Sequence, residues 1–306
     1  MLSQPVLTAQ QRRAQQRADL DALLRSAPLD LAGDPQVQRP IFSGMLASAP
    51  VPPTTTVTPG TLGDVPVVWT DLPGSVPTTL LYFHGGGYVI GDAASAVGTP
   101  ATLADRSGIR SASVDFRLAP EAPFPAAFDD GLAAYRALLE SIPARDIVIA
   151  GDSAGGGLAL ATMLAARDAE LELPSAAILF SPWTDLTLSG DSVTTRAEAD
   201  PTLTRLALER CATRYLGGQA AEHPYASPLL ADLAGLPPLF ITVGNNEVLL
   251  DDALRLANRA AHAGVAVSLE VGAGLAHVYP TFYPLLDEGS EALDSAARFI
   301  ERTRLA

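Results

Sequence analysis

The segment Ile147–Leu160, IVIAGDSAGGGLAL, carries one serine, Ser153, in a run of glycines that separates an apolar strand pattern from a helical pattern. This layout suits either a phosphate site at a helix N-terminus or a sharp turn that projects a nucleophilic hydroxyl. The phosphate-binding loop G-x-x-x-x-G-K-[ST] requires a lysine, but all 20 basic residues are arginine. The dinucleotide pattern G-x-G-x-x-G also fails, because DSA separates Gly151 from the next glycine. We therefore predict that Ser153 is a nucleophile; the alternative is a plain glycine-rich turn.

A second glycine-rich stretch, His84–Gly87, follows the apolar pattern LLYF; we call it the glycine loop. Three consecutive glycines cost chain entropy, so they indicate a backbone that approaches a ligand closely. For an acyl-transfer serine, the amides of Gly86 and Gly87, together with that of Ala154, would donate to the developing oxyanion. The alternative is a flexible β-turn loop with no catalytic role.

The sequence contains four histidines, so a general base can be sought by elimination. His84 belongs to the glycine loop, which its side chain would support, and His223 precedes a proline outside the strand–helix repeat. His262 ends an alanine-rich helical pattern and is expected to face solvent. His277 follows the last strand pattern, on a loop at the expected active-site edge of the sheet. We predict that His277 is the base.

The acid of the triad is expected after the next-to-last strand, where VGNNEVLLDD offers three carboxylates. Glu247 lies on the turn, near the sheet edge. Asp251 and Asp252 lie one turn into the following helix, where the helix dipole alone would favour acidic side chains. We predict Glu247 as the acid. The chain order Ser153, Glu247, His277 is that of the α/β-hydrolase fold.

Alternating apolar and helical patterns predict the elements that would hold these residues. Helical patterns include Ala126–Glu140, Ala154–Arg167 and Asp251–Ala263, and the strand patterns are VPVVWT, TTLLYF, SASVDF, IVIAGD, AAILFSPW, PLFITVG and VSLEV. Repeated alternation predicts an α/β fold: a mostly parallel central sheet flanked by helices on both faces. We predict a single domain over residues 1–306.

Two segments, residues 1–45 and about 186–235, lie outside this alternation, and we call them the cap segments. The second contains helical stretches around Thr202–Tyr215 and Pro228–Ala234 but no strand pattern. We predict that both fold over the carboxyl edge of the sheet as a helical cap.

The net charge of −14 argues against partners that need a basic face, namely nucleic acid and anionic membrane surfaces. Residues 1–25 hold no apolar run like the core of a secretion signal, and no stretch reaches the roughly 18 apolar residues of a membrane span. We therefore expect a cytoplasmic protein. The single cysteine, Cys211, excludes an internal disulfide and is expected to be buried in a helix. No histidine–carboxylate cluster has metal-ligand spacing, so we expect no metal.

Five motifs, HGGGYVIG, VDFRLAPEAPFPAAFDD, GDSAGG, SPWTDL and GNNEVLLDD, resemble the bacterial hormone-sensitive-lipase-like esterases, family IV of the bacterial lipolytic enzymes. The similarity runs from about Thr79 to His277. It implies an α/β-hydrolase with a cap and no cofactor that hydrolyses short-chain carboxylic esters. It also implies the acid role for Glu247, although most members have Asp there, and it implies that Tyr88 forms an aromatic wall of the acyl pocket. For Tyr88, a plain packing role is an equal alternative.

Two other functions remain open at this level. Lactone hydrolysis uses the same machinery on a cyclic ester, and some relatives are described as ε-lactone hydrolases. A non-catalytic small-molecule receptor is the other, but plant receptors that resemble this family lose the triad histidine, whereas His277 is present. VSLEV is predicted as an edge strand, a feature that favours a homodimer.

Overall fold

The computed structural model of the protein describes residues 7–304. Within this range one sheet contains eight strands in the order β1-β2-β4-β3-β5-β6-β7-β8. Neighbouring strands from β4 to β8 are parallel, whereas β1–β2 and β2–β4 are antiparallel. The predicted α/β architecture is therefore confirmed, with β8 at one edge. The strands are β1 (Thr56–Leu62), β2 (Val65–Asp71), β3 (Thr79–Phe83), β4 (Arg110–Val114), β5 (Ile147–Asp152), β6 (Ala176–Phe180), β7 (Leu239–Gly244) and β8 (Val267–Gly272).

Helices cover both faces of the sheet. Buried side chains of α3 and α9 pack with Leu80 and Tyr82 on one face, and those of α4, α5 and α8 pack with Leu81 and Phe83 on the other. Because both faces are buried, the central strands are apolar throughout. The α-helices in the described range are α1 (Ala9–Ser26), α2 (Pro35–Leu46), α3 (Gly98–Ser107), α4 (Ala126–Leu139), α5 (Ala154–Asp168), α6 (Ser192–Thr195), α7 (Arg205–Leu216), α8 (Leu250–His262) and α9 (Asp287–Arg304). None of them is long and apolar enough to span a membrane.

The parallel strands end together at one edge of the sheet. In register, Phe83 of β3 lies beside Gly151 of β5, and Gly244 of β7 lies beside Gly272 of β8. The segments that follow these strand ends carry the glycine loop, Ser153, Glu247 and His277. The topology therefore gathers all the predicted site residues at one edge.

Two local predictions were wrong, and one strand was not predicted. The unpredicted strand is β1, whose sequence TVTPGTL contains a proline. It tolerates Pro59 because it is an edge strand, and it packs Gly60 against the ring of Trp69. The helical stretch expected around Pro228–Ala234 is only a 3-10 turn, Pro228–Leu230. The pattern AAILFSPW ends as a strand at Phe180, because Ser181 has a φ of 45°, outside the extended region.

The first cap segment is attached to the sheet domain by charge and by a small apolar contact. Helix α1 forms ion pairs with α9, including Arg12–Asp287 at 2.6 Å and Arg17–Glu288 at 2.5 Å. Its two buried side chains, Leu20 and Leu24, pack with Leu275, Ala276, Tyr279, Leu286 and Ala292. The position of α1 next to the loop that carries His277 is thereby fixed.

Candidate active site

Ser153 occupies the turn between β5 and α5 in a backbone conformation that is rare for residues other than glycine. Its φ is 54° and its ψ is −122°, and its amide donates to the carbonyl of Phe180 at 2.9 Å. A Cβ on Gly155 would collide with the carbonyl oxygens of Phe83 and His84, so the following helix can approach β3 only with glycine there. Strain of this kind costs about 1–3 kcal/mol and persists where surrounding contacts impose it. The turn thus holds the Ser153 hydroxyl at the edge of the sheet.

His277 lies between Ser153 and Glu247 and contacts both. Its Nε2 is 2.9 Å from Ser153 Oγ, and its Nδ1 is 2.6 Å from Glu247 Oε2. Because a carboxylate can only accept, Nδ1 carries the proton of the neutral ring, and Nε2 accepts from the serine hydroxyl. The structure therefore joins the predicted nucleophile, base and acid in one hydrogen-bonded chain.

Glu247 is completely buried, and each of its carboxylate oxygens has a donor. Oε2 faces His277, while Oε1 accepts from Ser181 Oγ at 2.8 Å and from the Gly244 amide at 2.6 Å. Ser181 Oγ also accepts from the Val278 amide at 3.0 Å, one residue after the histidine. Ser181 thus links the end of β6 both to Glu247 and to the loop that carries His277.

The electrostatic environment of His277 favours its protonated form. Burial opposes that form, but the charge and hydrogen bond of Glu247, with the charges of Asp200 and Asp152, raise the pKa of His277 above its ordinary value of 6.5. A raised pKa strengthens the ring as a proton acceptor. The carboxylates around His277 therefore favour an imidazolium at this position.

The glycine loop presents free backbone donors toward the same space. The amides of Gly86 and Gly87 donate to no residue in the described range, whereas the Gly85 amide donates to Asp152 Oδ1 at 3.1 Å. The φ angles of Gly86 and Gly87 are 117° and 62°, in the region that favours glycine. Ala154 is the first residue of α5, where amides lack an intrahelical acceptor. These three amides can receive a negatively charged oxygen.

Two buried side chains support the glycine loop. Asp152 Oδ1 also accepts from the Tyr82 hydroxyl at 2.7 Å, and burial raises the pKa of Asp152 in spite of this hydrogen bond. His84 Nδ1 is 2.7 Å from the Gly85 carbonyl, and its ring stacks on Phe116 at 4.4 Å. His84 therefore has the supporting position that the sequence predicts for it.

A cavity of about 90 Å³ lies over Ser153. The cap segments form most of its apolar wall: the first supplies Leu29, Leu31, Phe42 and Met45, and the second supplies Thr202, Leu203, Leu208 and Cys211. The sheet domain adds Gly86, Gly87, Asp152, Ser153, Trp183, His277, Val278 and Phe282. The reactive hydroxyl thus opens onto an apolar chamber whose walls come from both parts of the chain.

Tyr88 and Cys211 occupy different positions around this chamber. Tyr88 is not among its lining residues; its buried ring stacks on Tyr215 at 3.9 Å, which favours the packing role for Tyr88. Cys211 is buried as predicted, burial raises the pKa of its thiol to about 12, and it also lines the chamber. The sequence predicts that Cys211 lies in a helix, but it does not show that the Cys211 side chain faces the chamber.

The two alternative acids bind elsewhere. Asp251 accepts from the Ser192 amide at 2.8 Å. Asp252 is buried and accepts from the amides of Thr184 and Asp185 at 2.7 and 2.9 Å. The helix dipole is therefore an incomplete account of Asp252, which ties α8 to the loop after β6. Within residues 7–304, no group of three or more histidine, cysteine and carboxylate side chains is arranged to hold a metal.

Comparison with known proteins identifies the family. A family model described as the alpha/beta hydrolase fold matches residues 80–281. The chain is 43% identical over 251 residues to an acetyl-hydrolase of Streptomyces hygroscopicus, a match that covers 82% of this chain and 83% of that protein. A crystal structure of an esterase from the bacterial hormone-sensitive lipase family superposes with a TM-score of 0.91 at 38% identity, covering 95% of this chain and 98% of that one. The chain belongs to the hormone-sensitive-lipase-like esterases of the α/β-hydrolase fold.

A further relative of this esterase family covers more of the chain. An esterase of Acinetobacter venetianus is 34% identical over 282 residues, which is 92% of this chain and 93% of that protein. The resemblance inferred from the sequence motifs is thus confirmed, and the protein is an enzyme of the carboxylesterase class.

Proposed function

We propose that the protein hydrolyses short-chain carboxylic esters, with Ser153 as nucleophile, His277 as general base and Glu247 as the acid that orients it. The observation that carries this proposal is the continuous hydrogen-bonded chain from Ser153 Oγ through His277 to Glu247, at 2.9 and 2.6 Å. At one end of this hydrogen-bonded series lies the buried carboxylate of Glu247, and at the other end the Ser153 hydroxyl opens onto the apolar chamber. This is the geometry that activates a serine hydroxyl for acyl transfer.

In the acylation half-reaction, Ser153 Oγ attacks the ester carbonyl carbon while its proton passes to His277 Nε2. The negative charge that develops on the carbonyl oxygen is stabilised by the amides of Gly86, Gly87 and Ala154. Glu247 stabilises the imidazolium and keeps the ring in the productive orientation. When the tetrahedral intermediate collapses, the same proton moves from Nε2 to the departing alkoxide, and the alcohol leaves.

Deacylation repeats these steps with water in place of the alcohol. The water oxygen attacks the acyl-enzyme carbonyl while His277 takes a proton from the water. The bond to Ser153 Oγ then breaks, the serine recovers the proton, and the carboxylic acid is released. Each cycle consumes one ester and one water and leaves the enzyme unchanged.

The preference for short acyl groups follows from the chamber. Its volume is about 90 Å³, and the two cap segments close it with leucine, methionine and phenylalanine side chains. An apolar chamber of this size stabilises an acetyl to butyryl chain by burial but meets a longer chain with its far wall. The similarity to an acetyl-hydrolase supports the same preference. We propose that residues 7–45 and 186–235 act as the cap that excludes water here; residues 1–6 of the first cap segment lie outside the described residues.

The deciding experiment is a series of p-nitrophenyl esters from acetate to dodecanoate, assayed with wild type and with Ser153→Ala. We expect activity on esters from acetate to hexanoate, with kcat/KM highest between acetate and butyrate and with no effect of EDTA. A panel of γ-, δ- and ε-lactones assayed in parallel tests the cyclic substrates. Higher kcat/KM on a lactone than on every linear ester would replace the ester by a lactone as substrate. Wild-type rates no higher than those of Ser153→Ala would contradict the proposed nucleophile.

A further inference from the structure

Asp200 is a buried carboxylate in the second cap segment that contacts the loop carrying Glu247. Its side chain is 5% exposed. Oδ2 accepts from the Val248 amide at 2.9 Å, and Oδ1 accepts from the amides of Thr202 and Leu203, both at 2.8 Å. One carboxylate thus spans the cap segment and the residue next to Glu247.

This carboxylate is held by three backbone amides and by the Thr202 hydroxyl, which donates to Oδ1 at 3.0 Å, without an ion pair. Among residues 7–304, no arginine lies within ion-pair distance of Asp200. Burying a charge is costly unless hydrogen bonds compensate for the lost hydration. Backbone donors from two separate segments provide that compensation only while the segments stay together. The burial of Asp200 therefore depends on the cap segment and the Glu247 loop being in contact.

We propose that Asp200 is a positioning residue of the esterase site, which couples closure of the cap over the acyl chamber to the correct placement of Glu247. The proposal rests on the proposed function, because it assigns Asp200 a role only if Glu247 is the acid. Asp200 does not contact Ser153 and is not among the residues that line the chamber. It acts through the backbone of Val248 on one side and of Thr202 and Leu203 on the other.

Both sides of this link reach functional surfaces. Thr202 and Leu203 line the chamber, so the turn that Asp200 holds forms part of the acyl wall. Helix α1 also reaches this turn, since Arg25 donates to the carbonyls of Glu198 and Ala199 at 3.2 and 3.3 Å. The two cap segments and the acid loop thus meet at Asp200.

The charge of Asp200 gives the proposal a specific signature. The charged groups that face His277 are Glu247 from the acid loop, Asp152 from the turn before Ser153, and Asp200 from the cap. The negative charge of Asp200 raises the pKa of His277. Removing it should lower that pKa, so the acidic limb of the rate profile should move to lower pH.

The test compares Asp200→Asn with wild type on p-nitrophenyl acetate and p-nitrophenyl octanoate across pH 5 to 9. We expect kcat on the acetate to fall by about 10- to 100-fold, the loss typical of a small misplacement of catalytic groups. We also expect the acidic limb of kcat/KM to move to lower pH and the octanoate-to-acetate ratio of kcat/KM to rise. Asp200→Glu keeps the charge and changes the reach, so its kcat should fall while its acidic limb stays in place.

The matched control is Asp185→Asn. Asp185 is also a buried carboxylate and accepts from the Thr187 amide at 3.0 Å, but it pairs with Arg255 at 2.9 Å and has no hydrogen bond with the loop that carries Glu247. It should lower thermal stability without moving the pH profile.

Should Asp200→Asn not fold, Asp200→Glu and the surface variant Arg25→Gln carry the test, with a lower kcat and a higher octanoate-to-acetate ratio expected in both. The proposal would be overturned if folded Asp200 variants had the same kcat, the same acidic limb and the same octanoate-to-acetate ratio as wild type. An inactive wild-type enzyme would overturn the proposed function instead.

Discussion

The hydroxyl of Ser181 lies 2.8 Å from Oε1 of Glu247, so the loop after β6 holds the carboxylate that follows β7. The Gly244 amide binds the same oxygen at 2.6 Å, which leaves Oε2 to face His277. A carboxylate with two fixed donors on one oxygen has little freedom to turn away from the histidine. The Glu247 side chain is therefore anchored in the position that faces the histidine.

The choice of acid gives the first prediction. Glu247→Gln keeps the size of the side chain but removes the charge that stabilises the imidazolium, so we expect kcat on p-nitrophenyl acetate to fall by about 10² to 10⁴, since the corresponding change in serine proteases costs about 10⁴. Asp251→Asn should cost less than about tenfold, because Asp251 binds the Ser192 amide and not the histidine. Glu247→Asp should keep partial activity. Circular dichroism of each variant checks its folding, and a severe Asp251→Asn beside a mild Glu247→Gln would transfer the acid role to Asp251.

The nucleophile gives the second prediction. Ser153→Ala should lower kcat by about 10⁴ to 10⁶. The variant keeps the oxyanion donors and the chamber, but without the serine hydroxyl no acyl-enzyme can form. The variant should still fold. Because alanine would occupy the same strained turn, its free energy of unfolding should not exceed that of wild type. Steady-state rates on p-nitrophenyl acetate, with mass spectrometry for a trapped acyl group in wild type, measure this directly. A variant within tenfold of wild type would make Ser153 a turn residue only.

The main features of the site could be predicted because strand ends and glycines are visible in the sequence. Parallel strands end at one edge, so residues directly after them, such as Ser153 and His277, must meet there. The glycines of GDSAG and HGGG mark close backbone approach, which the positions of Gly155 and Gly86 display. These features depend on local sequence and on one topological rule.

What could not be predicted depends on contacts between distant segments. Ser181 follows a strand at the active-site edge, and that position was the available signal, but nothing in SPW shows that its hydroxyl reaches Glu247. Asp200 and Asp252 bind backbone amides 48 and 68 residues away, and backbone donors carry no sequence signature. Strand β1 was not predicted because its sequence, TVTPGTL, contains a proline, which a strand tolerates only at an edge or a bulge.

The pKa of His277 gives the third prediction. The base must be neutral to accept the serine proton, so kcat/KM falls as the pH drops through the pKa of the free enzyme. The surrounding carboxylates raise that pKa above 6.5, so the acidic limb should have its midpoint above 6.5. Glu247→Gln removes the main charge that raises it and should move the midpoint to lower pH. A wild-type midpoint below the ordinary histidine value would contradict this electrostatic account.

The buried carboxyl of Asp252 gives the fourth prediction, which concerns stability. Burial raises its pKa from 3.8 to about 7 in the folded protein, although the amides of Thr184 and Asp185 oppose the shift. Between these two values the folded state holds a proton that the unfolded state has lost, so this group contributes stability at about pH 4 that is lost as the pH rises toward 7. The loss could reach roughly 4 kcal/mol, at about 1.4 kcal/mol for each pKa unit.

Asp252→Asn keeps an oxygen for both amides and removes the titration. Relative to wild type, its free energy of unfolding should therefore improve by roughly 2–4 kcal/mol between pH 4 and pH 8. Urea denaturation at four pH values measures the difference, with Asp251→Asn as the control on the same helix. Parallel curves for wild type and Asp252→Asn would show that Asp252 is charged in both states over this range. Activity should change by less than about tenfold, since Asp252 does not contact the histidine chain.

The chamber wall gives the last prediction, with a matched pair of leucines on helix α7. Leu208 is buried and lines the chamber, whereas Leu206, two residues earlier, is 54% exposed. Leu208→Ala should lengthen the chamber and raise the octanoate-to-acetate ratio of kcat/KM by about tenfold, since one or more extra methylenes become buried. It should also lower the free energy of unfolding by about 2–5 kcal/mol, whereas Leu206→Ala should change it by less than about 0.5 kcal/mol and leave the ratio unchanged. Leu208→Phe should act in the opposite direction and restrict the enzyme to acetate. If Leu208→Ala loses stability but keeps the wild-type chain-length profile, the acyl group does not bind against the cap, and the short-chain preference has another source.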